Sequence, residues 1–140
     1  MLGPNGSGKS TLLHVLSGQL SLSEGTVSYS NSAPLASENV FKHVSIAAPY
    51  LELIEDFTME EIIRFHFQFK KAVNDFSLKE IIQLTELESS KDKVFKYFSS
   101  GMKQRVKLCL AILSDVNMVL LDEPLSASSR VKHKQLEYFN

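Results

Sequence analysis

The chain has one cysteine in 140 residues, Cys109, so no intramolecular disulfide can form. Cys109 sits in an apolar stretch with Leu108, Leu110, Ala111 and Ile112, where a thiol is a small buried hydrophobe rather than a nucleophile. Charge of one sign is also scarce. Fifteen Lys and Arg against 16 Asp and Glu leave a formal net charge of −1, which argues against a broad electrostatic surface for nucleic acid, and no nucleic-acid partner is expected. Residues 91–107 are locally rich in Lys and Arg (Lys91, Lys93, Lys96, Lys103, Arg105, Lys107), the pattern of a solvated helix face. No apolar run approaches the roughly 18 residues of a membrane span, and no basic-then-apolar leader precedes Gly3. The expectation is a cytoplasmic chain that would reach the inner face of a membrane only through a partner subunit. His14, His43 and His66 are not grouped with Cys or acids at metal-ligand spacing, so they read as ordinary surface or core histidines.

What is present is globular. A hydrophobic fraction of 44% and a charged fraction of 22% lie near the averages for folded domains. Leu12, Leu13, Val15 and Leu16 have helical spacing between Ser10 and Gln19, with Gly18 as the stop. Residues 25–29 read as a short strand, the Ser-rich 30–39 stretch as a loop, and Val44 to Ala48 as a buried strand ending at Pro49. Thr58 and Glu61 form a capping-box pair opening a helix to about Lys71, and Ser77 and Glu80 repeat it. Phe65, Phe67 and Phe69 read as core and subdomain-interface residues. A further helix is expected from about Ser100 with Val106, Leu108, Leu110 and Ile112 apolar, and Met118 to Leu121 reads as a buried parallel strand. The order is α/β, with helices inserted between sheet strands.

Two motifs carry chemistry. Gly3-Pro4-Asn5-Gly6-Ser7-Gly8-Lys9-Ser10 matches G-x-x-x-x-G-K-[ST] at every specified position, with Thr11 following. Glycines let successive backbone N–H groups turn inward on phosphate oxygens, and the helix that starts there adds its positive end. Lys9 would reach the β- and γ-phosphates and the Ser10 hydroxyl would ligate Mg²⁺. At ordinary residue frequencies a chance match in this length is roughly 1 in 200. The second motif is Asp122-Glu123 at the end of the 118–121 strand. Nucleotide hydrolysis needs one carboxylate near the metal and a base or orienting group beside the attacking water. Asp122 suits the first role and Glu123 the second, since adjacent strand-end residues point in different directions. By itself an acidic strand end is also what a solvated turn looks like.

Taken together, Gly3 to Thr11 resembles the Walker A motif of the ATP-binding cassette (ABC) proteins and Met118 to Pro124 resembles their Walker B. Between them, the run from Phe98 to Arg105 resembles the family's signature, written L-S-G-G-Q followed by a basic residue, Gln and Arg. Ser99 and Gly101 match, while Phe98, Ser100 and Met102 replace Leu, Gly and Gln. The resemblance implies a P-loop NTPase core of RecA type with a helical subdomain at about 58–100 and an incomplete sheet, the whole of 1–140 forming part of one nucleotide-binding domain. It implies ATP and Mg²⁺ as cofactors, Ser10 and Asp122 at the metal, and Glu123 as catalytic base. It also implies that Ser99, Ser100, Gly101 and Met102 face ATP held by a second nucleotide-binding domain, and that a membrane-spanning transporter subunit docks on the helical region.

Other features of the family lack counterparts here. Residues 45–51 contain no Gln where the family has its Gln loop, Ser126 to Arg130 replaces the usual Leu-Asp after Walker B, and His133 is too close to Glu123 to be the switch histidine. The strand and the adenine-stacking aromatic expected before Walker A would precede Met1. A hydrolytically inactive cassette fragment and a soluble, non-transport cassette ATPase are therefore the alternatives to a transporter ATPase subunit. Glu123→Gln is expected to keep ATP binding and to slow phosphate release by about 100-fold or more, the usual contribution of a positioned base; undiminished release would remove Glu123 from that role.

Overall fold

A computed structural model describes residues 7–31, 33–35 and 39–122, with the side chains of 30–38 outside the description. Helix α1 runs Lys9–Leu16. It ends because Gly18 adopts φ +75°, a left-handed turn that Gly takes at little cost. There the amides of Ser17, Gly18 and Gln19 donate to the carbonyls of Leu13, Val15 and His14. The helix is thus shorter than the Ser10-to-Gln19 periodicity suggests.

Strands β1 (Tyr29–Asn31) and β2 (Ala33–Leu35) form an antiparallel hairpin. The expected strand at 25–29 is a correction, since regular pairing starts only at Tyr29 and occupies part of the segment read as a loop. Turn geometry and a nearby partner set this register. Tyr29 is also fastened by its hydroxyl, which donates to the carbonyls of Val15 and Leu16 at 3.0 and 3.3 Å, the first shared with the Gly18 amide.

A one-turn helix α2 (Val40–His43) leads directly into β3 (Val44–Ala47). β3 pairs in parallel with β4 (Met118–Leu121), in the register Val44 to Met118 through Ala47 to Leu121. Parallel neighbours need a long crossover, and here it is helical: α3 (Met59–Phe69), α4 (Leu78–Thr85) and α5 (Ser100–Ile112). Both expected capping boxes form. The Thr58 and Ser77 hydroxyls accept from the amides of Glu61 and Glu80, whose carboxylates accept from the capping residues' own amides.

The core has three parts, two of them joined by α5. Met59, Ile62, Ile63, Ile81, Ile82, Phe95 and Phe98 pack against Val106, Cys109, Leu110 and Leu113. Leu108, Ala111 and Ile112 on the same helix pack against Ala47, Val119 and Leu121. Leu13, Val40, Val44 and Leu120 join α1 to the sheet. A helix buried on two sides loses the polar stripe of a surface helix, and this explains the near-continuous apolar run around Cys109. Burial pushes that thiol's pKa up to about 12, as its reading as a structural residue requires.

Phe65 and Phe69 depart from the expectation of core residues, with 43% and 64% of their surface exposed. The apolar moment of α3 points Met59, Ile62 and Ile63 inward, leaving Phe65 and Phe69 to meet each other edge-on at 5.2 Å between ring centres. Phe67 is partly buried against the helical core. Met118, at one end of β4, is likewise more exposed than a buried strand suggests.

His66 lies in the seam beneath α3. Its Nε2 lies 2.8 Å from the Ser114 hydroxyl, which itself donates to the Leu110 carbonyl at 2.6 Å. The hydroxyl proton is thereby engaged, so the imidazole is the donor and carries its proton on Nε2. Burial, with the nearby Lys70 ammonium, pushes the His66 pKa down from 6.5 to about 4.

Two outcomes follow for stability. Ile63→Ala removes a fully buried side chain and is expected to cost roughly 2–5 kcal/mol in denaturant unfolding. The unfolded imidazole binds a proton below about pH 6.5 whereas the folded one stays neutral to about pH 4, so His66 makes stability fall as pH drops through that window. The contribution is up to roughly 3 kcal/mol. A His66→Gln variant should show a flatter stability profile between pH 6.5 and 4, and an unaltered slope would remove His66 from this role.

Candidate functional site

Gly8 caps α1 with φ +84° and ψ +9°, a conformation that side-chain-bearing residues rarely adopt. A Cβ placed there would have no heavy atom of the described residues within 4 Å, and the backbone conformation itself calls for glycine. The result is an exposed N–H terminus on an eight-residue helix, with its positive dipole end open to an anion. Lys9 follows, its ammonium 3.4 Å from the Ser7 hydroxyl. Thr11 is exposed on the same first turn. Gly3, Pro4, Asn5 and Gly6 lie outside the described residues.

The Ser10 hydroxyl donates to the Asp122 carboxylate at 2.7 Å. This contact joins residues far apart in the chain, one in the first turn of α1 and one just past β4. The sheet enforces it: the Asp122 amide donates to the Ala47 carbonyl at 2.9 Å, continuing the β3–β4 ladder by one bond. Asp122 is 8% exposed, so its carboxylate is aimed at the loop and not at open water. Glu123 lies outside the described residues.

A hydroxyl and one carboxylate are hard oxygen donors, the set Mg²⁺ takes when phosphate and water complete its shell. Among the described residues no group of three or more His, Cys, Asp or Glu is placed to hold a metal ion. The residues present fit Mg²⁺ carried by a polyphosphate.

The turn after β3 forms the neighbouring wall. The Leu51 amide donates to the Ala48 carbonyl at 3.2 Å, and the Lys107 ammonium donates to the Pro49 carbonyl at 2.9 Å. Tyr50 projects from this turn and stacks on His14 of α1, with ring centres 4.7 Å apart and planes 30° apart. The His14 ring is in turn fixed by a 2.9 Å hydrogen bond between Nδ1 and Gln19 Oε1. Burial, and then the Asp122 carboxylate, raise the Tyr50 pKa, since both disfavour the phenolate. Sequence reasoning passed over Tyr50. Its only signal was an aromatic directly after a strand-ending proline.

Ser99 caps α5, its hydroxyl accepting from the Met102 amide at 3.3 Å. Ser100, Gly101 and Met102 form the first turn. The described residues include no hydrogen bond between this turn and Ser10 or Asp122, so within one chain it is a second, separate helix N-terminus. A cavity of about 290 Å³ adjoins it, lined by Pro49, Ser100, Gly101, Lys103, Gln104 and Lys107. Gln104 is 7% exposed, and its Nε2 has no hydrogen-bond partner among the described residues.

Comparison with known proteins gives a consistent picture. A family model described as ABC transporter matches residues 1–126. The chain is 30% identical over 126 residues to the uncharacterized ABC transporter ATP-binding protein YcbN of Bacillus subtilis (strain 168), covering 89% of this chain and 41% of that protein. It is 30% identical over 143 residues to the sulfate/thiosulfate import ATP-binding protein CysA of Bradyrhizobium diazoefficiens, covering 97% and 42%. It is 29% identical to ABC transporter A family member 7 of Dictyostelium discoideum, covering 96% of this chain and 17% of that one. The chain thus spans less than half the length of these relatives. A solved ATP-binding subunit of an ABC transporter superposes with TM-score 0.79 at 26% identity, covering 99% of this chain and 60% of its own. A putative ABC transporter ATP-binding protein from Pyrococcus furiosus gives 0.71 at 25%, covering 96% and 66%. These likenesses establish a P-loop NTPase fold.

If the loop at Ser7 to Thr11 holds nucleotide, ATP at 100 times its Kd should stabilise the chain by about 2.7 kcal/mol, read as a rise in melting temperature. Lys9→Ala is expected to abolish that rise, and an undiminished rise would refute the site.

Proposed function

The chain belongs to the ABC transporter family, and on that footing we propose that it binds Mg-ATP at Ser7 to Thr11 and Asp122 and hydrolyses it as the nucleotide-binding subunit of a transporter. The observation that carries this reading is the 2.7 Å contact between Ser10 and Asp122. It joins the two motifs that a metal-bound phosphate needs, and no generic Gly-rich turn or solvated acidic turn requires them to meet.

Gly8 and the following amides receive the phosphates, Lys9 neutralises the terminal ones, and Gly3 to Gly6 complete the loop. Ser10 and Asp122 would hold the metal, whose charge would polarise the terminal phosphate. Glu123, one residue past Asp122, orients and deprotonates the attacking water. Ser99, Ser100, Gly101 and Met102 present a second helix N-terminus, which supports a head-to-tail dimer in which each such turn meets the terminal phosphate held by the partner.

The membrane partner has a candidate seat. Leu53, Ile54, Ile62, Phe65, Phe69 and Leu110, with Glu52, His66 and Lys70, line an open groove of about 240 Å³, and Ile54, Phe65 and Phe69 are exposed. Exposed apolar side chains gathered in one groove fit the apolar face of a helix from another subunit. The helical subdomain at about 58–100 supplies one wall of it. No helix among the described residues is long and apolar enough to cross a membrane.

Calorimetric titration tests the nucleotide site. Asp122→Asn is expected to leave metal-free ATP binding near wild type and to remove most of the gain that Mg²⁺ gives. Equal Mg²⁺ enhancement in both proteins would exclude Asp122 as the metal's carboxylate.

A further inference from the structure

The groove read above as the seat of a membrane partner is apolar apart from Glu52, His66 and Lys70. Burial, with the nearby Lys70 ammonium, pushes the His66 pKa down to about 4, so near neutral pH the imidazole brings no charge. Glu52 acts on the α5 side, where its carboxylate attracts the Lys107 ammonium against the larger effect of burial. Lys70 stands apart. It follows the last turn of α3 as its C-cap residue and is half-buried, its ammonium donating to the Val44 carbonyl at 2.6 Å. Among the described residues no carboxylate forms an ion pair with it, and burial lowers its pKa with no acid to oppose the shift.

An ammonium has three N–H donors, and the Val44 carbonyl takes one of them. Phe65 and Phe69 set up the opposing demand. Their rings are one turn apart on α3, meet at 5.2 Å between centres, and gain from being covered. A helix apolar along its whole seat would cover them and strip Lys70 of water in the same step. An ammonium taken out of water with no countercharge is costly. A carboxylate brought to Lys70 removes that conflict, since it supplies both the charge and the further acceptors.

We propose that the helix docking in this groove carries an Asp or Glu that pairs with the Lys70 ammonium at the end of α3, so that Lys70 selects among membrane partners. This rests on the groove being the partner's seat. Apolar packing along Ile54, Phe65 and Phe69 is non-directional and lets a helix lie in more than one register. A charge pair largely removed from water accepts one register. It also penalises a helix with an amide or a cation at that point. The Val44 carbonyl holds the ammonium in place beforehand, so little side-chain freedom is lost when the pair forms.

The test measures binding of labelled synthetic amphipathic helices, each with a Leu and Ile face, to the whole chain by fluorescence anisotropy. One Glu is moved through successive positions along the border of that face. A matched series carries Gln instead, and a control of equal net charge has its Glu on the polar face. The expected result is one position at which the Glu helix binds about tenfold tighter than its Gln counterpart and the control, the usual worth of a hydrogen bond to a charged group. Lys70→Met, with an unchanged melting temperature, should erase that preference, and Lys70→Arg should keep it. Equal affinity of the Glu and Gln helices at every position would overturn the role of Lys70 and leave the apolar groove standing, a comparison that needs no variant. A Glu preference surviving in Lys70→Met would overturn it as well. Binding by none of the helices would overturn the groove reading along with it, and leave the nucleotide site untouched.

Discussion

Parallel pairing of β3 with β4 is the constraint on which the candidate site depends. The register that sets Ala47 against Leu121 leaves Asp122 one bond further along, its amide on the Ala47 carbonyl. A shift of one residue would turn the Asp122 side chain to the other face of the sheet, away from Ser10. The register is held by apolar packing on both faces: Leu13, Val40 and Val44 with Leu120 on one, Leu108, Ala111 and Ile112 with Ala47, Val119 and Leu121 on the other. A buried acid at a strand end is costly unless it finds a partner, and the Ser10 hydroxyl supplies one.

Helix α5 transmits that order to the rest of the chain. Val106, Cys109, Leu110 and Leu113 belong to the helical core while Leu108, Ala111 and Ile112 belong to the sheet. The helix cannot rotate without exposing one set or the other. Its first turn, with Ser99 as cap and Gly101 exposed, is thus held on a rigid rod fixed to the strand that delivers Asp122. Lys107, halfway along, adds a bond to the Pro49 carbonyl, tying the same rod to the turn that carries Tyr50. Burial, joined at Lys107 by the nearby Lys103 ammonium, lowers the Lys107 and Lys70 pKa values below the ordinary lysine value, and both cations find backbone carbonyls, of Pro49 and Val44.

Surface electrostatics contribute less. Lys96 with Asp56, Arg64 with Glu60 and Arg105 with Glu86 are exposed or half-exposed pairs, each worth little under screening. They do account for the basic stretch at 91–107. Lys91, Lys96, Lys103 and Arg105 meet Glu60, Asp56, Glu55 and Glu86 on neighbouring segments, so the local excess of positive charge in the sequence is balanced across the fold.

Much was legible in the sequence because the signals were local. The capping pairs Thr58–Glu61 and Ser77–Glu80, the apolar run around Cys109 and the start of α1 at Gly8 each depend on residues within one or two turns, and their physics is complete at that range. The hairpin at Tyr29 to Leu35 was not legible, because strand pairing depends on a partner and on the tether from the Tyr29 hydroxyl to α1. Nor was the exposure of Phe65 and Phe69, since a run of alternate aromatics does not say which way a helix faces until its neighbours are placed. By itself the sequence determined the chemical parts: glycines able to turn backbone amides inward, a lysine, a hydroxyl, a carboxylate. Only the tertiary structure decided that Ser10 and Asp122 touch and that Tyr50 stacks on His14. Those proximities come from a parallel strand register and a helix stacked across it, which join distant segments through contacts that no local pattern encodes.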